Sequence, residues 1–132
     1  MLSIKFIKEN ADLVRQGAKN KNFDPALVDR TIKADDALKP LKQDLESLQA
    51  ERNSLSKTIL TLKAADKEQL KEKVKSLKSK MDELQEAVNQ GQKILDDLLL
   101  LVPAPARADV PIGKDDSENK EVRKWGEIPK FD

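Results

Sequence analysis

At 132 residues, with 25 Lys and Arg against 24 Asp and Glu, the chain is nearly neutral overall and of single-domain length. It has no cysteine and no histidine, which excludes disulfides, thiolate chemistry, the usual general base and the commonest zinc ligand. Aromatic residues make up 3% and charged residues 37%, a balance that suits exposed helical faces better than a thick globular core.

The first residues, Met1-Leu2-Ser3-Ile4-Lys5, lack the apolar centre of a signal peptide. The longest apolar run, Leu98 to Val102, is too short to span a bilayer, so a cytoplasmic protein without a membrane partner is expected. Residues 1–23 read as two short helices: Ile4, Ile7, Ala11, Val14 and Ala18 fall near helical spacing, and Asn10 is placed to cap the second. Helices this short are marginal alone and need a surface to lie on. Ile94, Leu99, Leu100 and Leu101, apolar but away from the main stripe of their own helix, are the expected surface. The other reading is that this cluster faces a part of the protein outside the chain.

The first long helix is expected over 25–62, with Asp24 as N-cap and Pro25 at the first helical position. Pro40 removes one internal hydrogen bond, yet the apolar phase continues through it, which predicts a kink rather than a break. A heptad seam runs Leu38, Leu41, Leu45, Leu48, Arg52, Leu55, Ile59, Leu62. The second helix, expected over 67–102 behind an Asp66–Gln69 capping box, repeats it with Leu70, Val74, Leu77, Met81, Leu84, Val88, Gly91, Leu95, Leu98 and Val102. The short segment between them, Lys63 to Asp66, forces the arms to fold back. One straight antiparallel alignment then sets Leu62 against Leu70, Leu55 against Leu77, Leu48 against Leu84 and Leu41 against Gly91. The expected fold is therefore all-α: a long antiparallel two-helix coiled-coil hairpin with short N-terminal helices packed at its base. Gly91 either gives room for an arm displaced by Pro40 or is a weak point in the second helix. A parallel homodimer through the same heptads would leave the turn unexplained.

Pro103, Pro105 and Pro111 end regular helix, so 103–132 is expected to be an extended linker leading into a further domain. Within it, 121–125 has the pattern of a short strand. Gly113-Lys114-Asp115 lacks the upstream glycine and the Ser or Thr of a phosphate-binding loop, and Asp115, Asp116 and Glu118 lack calcium-loop spacing. The helical carboxylates have no pocket to shift their pKa values, and no catalytic residues, cofactor site or metal site are expected in this chain.

Charge is unevenly spread. Between Arg52 and Lys80 the basic residues are Arg52, Lys57, Lys63, Lys67, Lys71, Lys73, Lys75, Lys78 and Lys80, opposed by Asp66, Glu68 and Glu72. The base half of the second arm is acidic instead, with Asp82, Glu83, Glu86, Asp96 and Asp97 against Lys93. A basic rod end poor in aromatics suits phosphate contacts and not the stacking of unpaired bases. A solvated lysine-rich surface on a structural or protein-interaction coiled coil is the alternative. Arg52 occupies a seam position, where it either fixes register or offers a cation beside Asn53.

Two short helices opening Met1-Leu2-Ser3-Ile4-Lys5-Phe6-Ile7-Lys8-Glu9-Asn10 precede an arm containing Ala50-Glu51-Arg52-Asn53-Ser54-Leu55-Ser56-Lys57. After it come Val102-Pro103, then Val110-Pro111-Ile112-Gly113-Lys114-Asp115, Asn119 and Val122-Arg123-Lys124-Trp125-Gly126. This order resembles the N-terminal arm of bacterial-type seryl-tRNA synthetases and their linker into the catalytic domain. The resemblance implies an arm that grips the long variable arm and elbow of tRNA(Ser), projecting from a class II domain that uses ATP and Mg and forms a homodimer. That domain is not expected in this chain, which on that basis should be monomeric and should not aminoacylate alone. The resemblance carries Arg52, Asn53 and Lys57 over as tRNA-facing candidates. Charge adds Lys63, Lys67, Lys71, Lys75 and Lys78.

Overall fold

The computed structural model describes residues 1–61, 64–126 and 129. Four α-helices follow one another: α1 Ile4–Glu9, α2 Ala11–Asn20, α3 Ala26–Thr61 and α4 Ala64–Leu101, with a 3-10 turn at Asp116–Glu118. No strand occurs among the described residues, and 121–125, expected as a strand, is irregular chain. At 1.5 Å per residue the long helices are about 54 and 57 Å, and they pack together along their length into the expected hairpin. No described helix is long and apolar enough to cross a membrane.

Local chemistry sets the helix ends. Ser3 caps α1, its hydroxyl accepting from the Phe6 N–H at 3.2 Å, a cap the sequence reading missed. Asn10 does not cap α2. Its backbone N–H and its side-chain amide both donate to the Phe6 carbonyl, so it closes α1 instead. At the far end of α2, Asn22 takes a left-handed φ of 59°. Its N–H reaches the Lys19 carbonyl and that of Phe23 reaches Ala18, which satisfies carbonyls the helix leaves orphaned. Asp24 caps α3 as expected, accepting from Ala26 N–H at 2.9 Å. Helix α3 continues through Pro40 without interruption. Helix α4 is already helical at Ala64, so Asp66, expected at its N-cap, lies inside its first turn.

The buried seam follows the heptads. Leu38, Leu45, Leu77, Met81, Val88, Leu95, Leu99 and Val102 are buried, and Leu41, Leu48, Arg52, Leu55, Ile59, Leu70, Val74, Leu84 and Leu98 are half-buried. Gly91 lies beside both Leu38, whose Cδ1 would stand 3.0 Å from a Cβ built there, and Leu41, which lines the same small cavity, and Leu48 and Leu84 line one groove further toward the turn. The expected Leu62–Leu70 pair falls outside the described residues.

The N-terminal helices lie at the base, but mainly on α3. Ile7, Val14, Leu27 and Val28 join the seam residues in one apolar cluster, and Thr31 is buried there with its hydroxyl donating to the Leu27 carbonyl at 2.8 Å. Ion pairs fasten the same contact. Lys8 bonds Asp35, and Asp36 at 2.6 Å; Arg15 bonds Asp29 at 2.7 Å. Partial burial pulls the Lys8 pKa down, but hydrogen bonds to the two aspartates outweigh it and the net shift is upward. The same bonds hold Asp36 below the usual carboxylate range, as the bond from Arg15 does for Asp29. Of the apolar residues expected to carry these helices, only Leu99 is buried; Ile94, Leu100 and Leu101 remain exposed. Ile7 and Val14 are buried in one cluster with Leu27 and Val28 of α3, and the pairs to Asp29, Asp35 and Asp36 fasten that contact. The chain after α4 then crosses α2 closely, since a Cβ on Gly17 would stand 2.9 Å from Pro105 Cα.

Candidate nucleic-acid interface

The basic half of the hairpin is built on the plainest local structure available. Between Arg52 and Lys80 both arms are long helix rich in Lys, Glu, Leu, Ser and Gln, and the narrow seam leaves most of each helix surface to solvent. Residues spaced by three and four share one helix face, so Lys67, Lys71, Lys75 and Lys78 form a single stripe on α4. Lys71, Lys75 and Lys78 are exposed and Lys67 is half-buried near the seam. Lys71 pairs with Glu68 at 3.3 Å, an exposed pair of little energetic weight. Lys75 and Lys78 make no ion pair among the described residues.

On α3, Arg52 is half-buried in the seam and its Nη2 donates to Asn53 Oδ1 at 3.2 Å. A half-buried seam arginine of this kind packs its stem along the apolar stripe and carries its guanidinium to the edge. Asn53 and Lys57 are exposed. Asn53 and Lys57 each stand roughly 160° round the helix from Leu55, one turn apart on the outer flank of α3. Arg52 at the seam edge, and Asn53 with Lys57 one turn further along the same outer flank of α3, lie on the side of the hairpin that carries the α4 stripe. Lys63 lies outside the described residues. A counter-charge missed from sequence is Glu51, which takes Lys73 at 3.1 Å across the two arms. Only the pairing of the arms reveals it.

Another concavity, of about 430 Å³, lies between the end of α2 and residues 106–119, and is a poor rival. Two of its lining groups are occupied within the turn: Arg107 bonds Asp109 at 3.0 Å, and the Glu118 carboxylate accepts from the backbone N–H of Lys114. Asp115 accepts from the Ser117 hydroxyl and from its N–H, and these turn-capping bonds lower its pKa. The Gly113-Lys114-Asp115 turn is therefore closed on a carboxylate and leaves no cradle for a phosphate.

Comparison with known proteins agrees with the geometry. Residues 1–105 match the family model of the seryl-tRNA synthetase N-terminal domain. The serine–tRNA ligase of Deinococcus radiodurans is 38% identical over the whole chain, which spans 31% of that relative. The serine–tRNA ligase of Hydrogenobaculum is 37% identical, again over the whole chain and 32% of the relative. Among solved structures, seryl-tRNA synthetase from Pyrococcus horikoshii complexed with ATP superposes with a TM-score of 0.79 at 28% identity. That match covers 96% of this chain and 29% of the other. The chain thus spans about a third of the length of the curated relatives it matches. Its helical hairpin, its docked N-terminal helices and the match over residues 1–105 place it in the seryl-tRNA synthetase N-terminal domain family.

Proposed function

We propose that this chain is the tRNA-binding arm of a cytoplasmic serine–tRNA ligase, and that it takes hold of tRNA(Ser) by its long variable arm and elbow. Catalysis, with its ATP and Mg, and dimerisation would belong to the portion of the relatives that this chain does not match. The observation that carries the reading is a stiff helical hairpin of this family with unpaired lysines gathered on its distal half. Double-stranded RNA has a deep, narrow major groove closed to side chains, so recognition proceeds by shape, backbone and 2′-hydroxyl contacts. Lysines supply point charges for such contacts, and a straight rod supplies the reach. No aromatic residue lies between Arg52 and Lys80, so base stacking has little support on this part of the rod.

The test is a gel-shift series at fixed salt with two transcripts, one tRNA with a long variable arm and one without. Tighter binding of the first is expected. Equal affinity for both would overturn selection by the projecting arm.

A further inference from the structure

The distal half of the hairpin has two broad faces, and their chemistry differs. With about 100° between successive helical residues, Lys71, Lys75 and Lys78 lie roughly a quarter turn from the Leu70–Val74–Leu77–Met81 seam, on one side of it. Lys73 and Lys80 lie roughly a quarter turn away on the other side. On that second side the lysines meet acids. Lys73 reaches Glu51 across the arms at 3.1 Å, and Asp44 and Glu83 line the same groove as Lys80. Positive and negative charges alternate there and largely cancel.

The first side is different. Arg52 turns its guanidinium toward Asn53, which sits on the opposite flank of α3 from Glu51. The Glu51–Lys73 pair across the arms sets the adjacent Arg52 near the level of Lys75 on the facing helix. Arg52, Asn53, Lys71, Lys75 and Lys78 therefore share one face, where the acids on α4 are the exposed Glu68 beside Lys71 and Asp82, one turn beyond Lys78 toward the base. Cations on two antiparallel helices at one level form a line across the rod as well as along it. That arrangement fits the phosphate backbone of a duplex laid against one side.

We propose that the hairpin is one-sided: the RNA backbone docks on the face carrying Arg52, Asn53, Lys71, Lys75 and Lys78, and the Lys73–Lys80 face stays in solvent. This rests on the tRNA-binding reading above and adds to it which side of the rod is used.

Two matched variants test it, K75Q/K78Q and K73Q/K80Q, each removing the same charge from exposed sites on α4. Anisotropy titrations of a labelled long-variable-arm tRNA transcript are run across a salt series, with far-UV circular dichroism confirming equal helicity. K75Q/K78Q is expected to lower the slope of log affinity against log salt by about 1.4–1.8, since each lost phosphate contact removes roughly 0.7–0.9. K73Q/K80Q is expected to leave the slope as it was. Equal changes in both, a larger change in K73Q/K80Q, or no change in either while the unsubstituted chain binds, would overturn the one-sided docking and leave RNA binding standing. Failure of the unsubstituted chain to bind the transcript would overturn the functional reading itself.

Discussion

At the base of the hairpin four helices share one apolar cluster; toward the turn only two remain. Ile7, Val14, Val28 and Thr31, all at the base, are completely buried, whereas distally Leu55, Ile59, Leu70 and Val74 are half-exposed and Leu60 is 80% exposed. Ion pairs follow the same gradient. At the base, Lys8 and Arg15 are committed to aspartates of α3, while Lys75 and Lys78 in the distal half pair with nothing among the described residues. The difference shows a division of labour. Burial and paired charge hold the fold at one end, which frees the other to carry uncompensated charge on a minimal seam.

The sharpest way to break this comparison is to delete one apolar side chain from each end. Ile7→Ala should cost about 2–5 kcal/mol, as for a fully buried aliphatic residue, and Leu55→Ala about 1–2 kcal/mol, because half its surface is already wet. Urea midpoints would decide it, and a costlier Leu55→Ala would invert the gradient. Next in size is Lys8→Ala, which leaves the largely buried Asp35 with the more distant Lys39 at 3.7 Å and should cost about 1–3 kcal/mol.

The same pairs set a pH signature. Asp29 and Asp36 are held below the ordinary carboxylate value, so their contribution is complete above about pH 4 and is lost as pH falls through their folded values. Lys8 is raised, so its contribution is complete below about pH 10 and fades as pH rises through its folded value. The thermal midpoint should hold steady from neutrality to about pH 4 and then drop, less steeply in Lys8→Ala than in the unsubstituted chain. An identical acid limb in both would remove the Lys8 cluster from the account.

The smallest expected effect is at Gly91. Alanine there gains up to about 1 kcal/mol of helix propensity. It meets Leu38 Cδ1 at 3.0 Å, but that is the end of a flexible side chain beside a cavity lined by Ala34, Ala37, Leu41 and Ile94. A net gain of about 0.5 kcal/mol is expected by thermal melt. A clear loss would mean that the close approach of Leu38 fixes the register of the arms.

The coiled coil was legible in the sequence because a seam alternating by three and four has one simple structural meaning, and the Asp24-Pro25 start was legible because both residues suit that place. What escaped depends on partners distant in sequence. Asn10 resembled a cap for α2, but α1 ends so close to it that the Phe6 carbonyl claims its donors. The apolar cluster at Ile94, Leu100 and Leu101 resembled a platform for the short helices, yet Ile7 and Val14 bury with Leu27 and Val28 of α3, where Asp29, Asp35 and Asp36 pair with Arg15 and Lys8. At the candidate site, the stripe of Lys67, Lys71, Lys75 and Lys78 followed from spacing alone. The pairing of Lys73 with Glu51, which separates the faces, required knowing how the arms align.

That alignment makes the hairpin a ruler with fixed graduations. Because seam residues face seam residues from Leu38–Gly91 toward the turn, excising seven residues from each arm should leave the packing intact and shorten the reach by about 10.5 Å. Excising any other number from one arm alone rotates every outward group away from its place. The distance at which this protein presents its charges can therefore change only in whole steps taken by both helices at once.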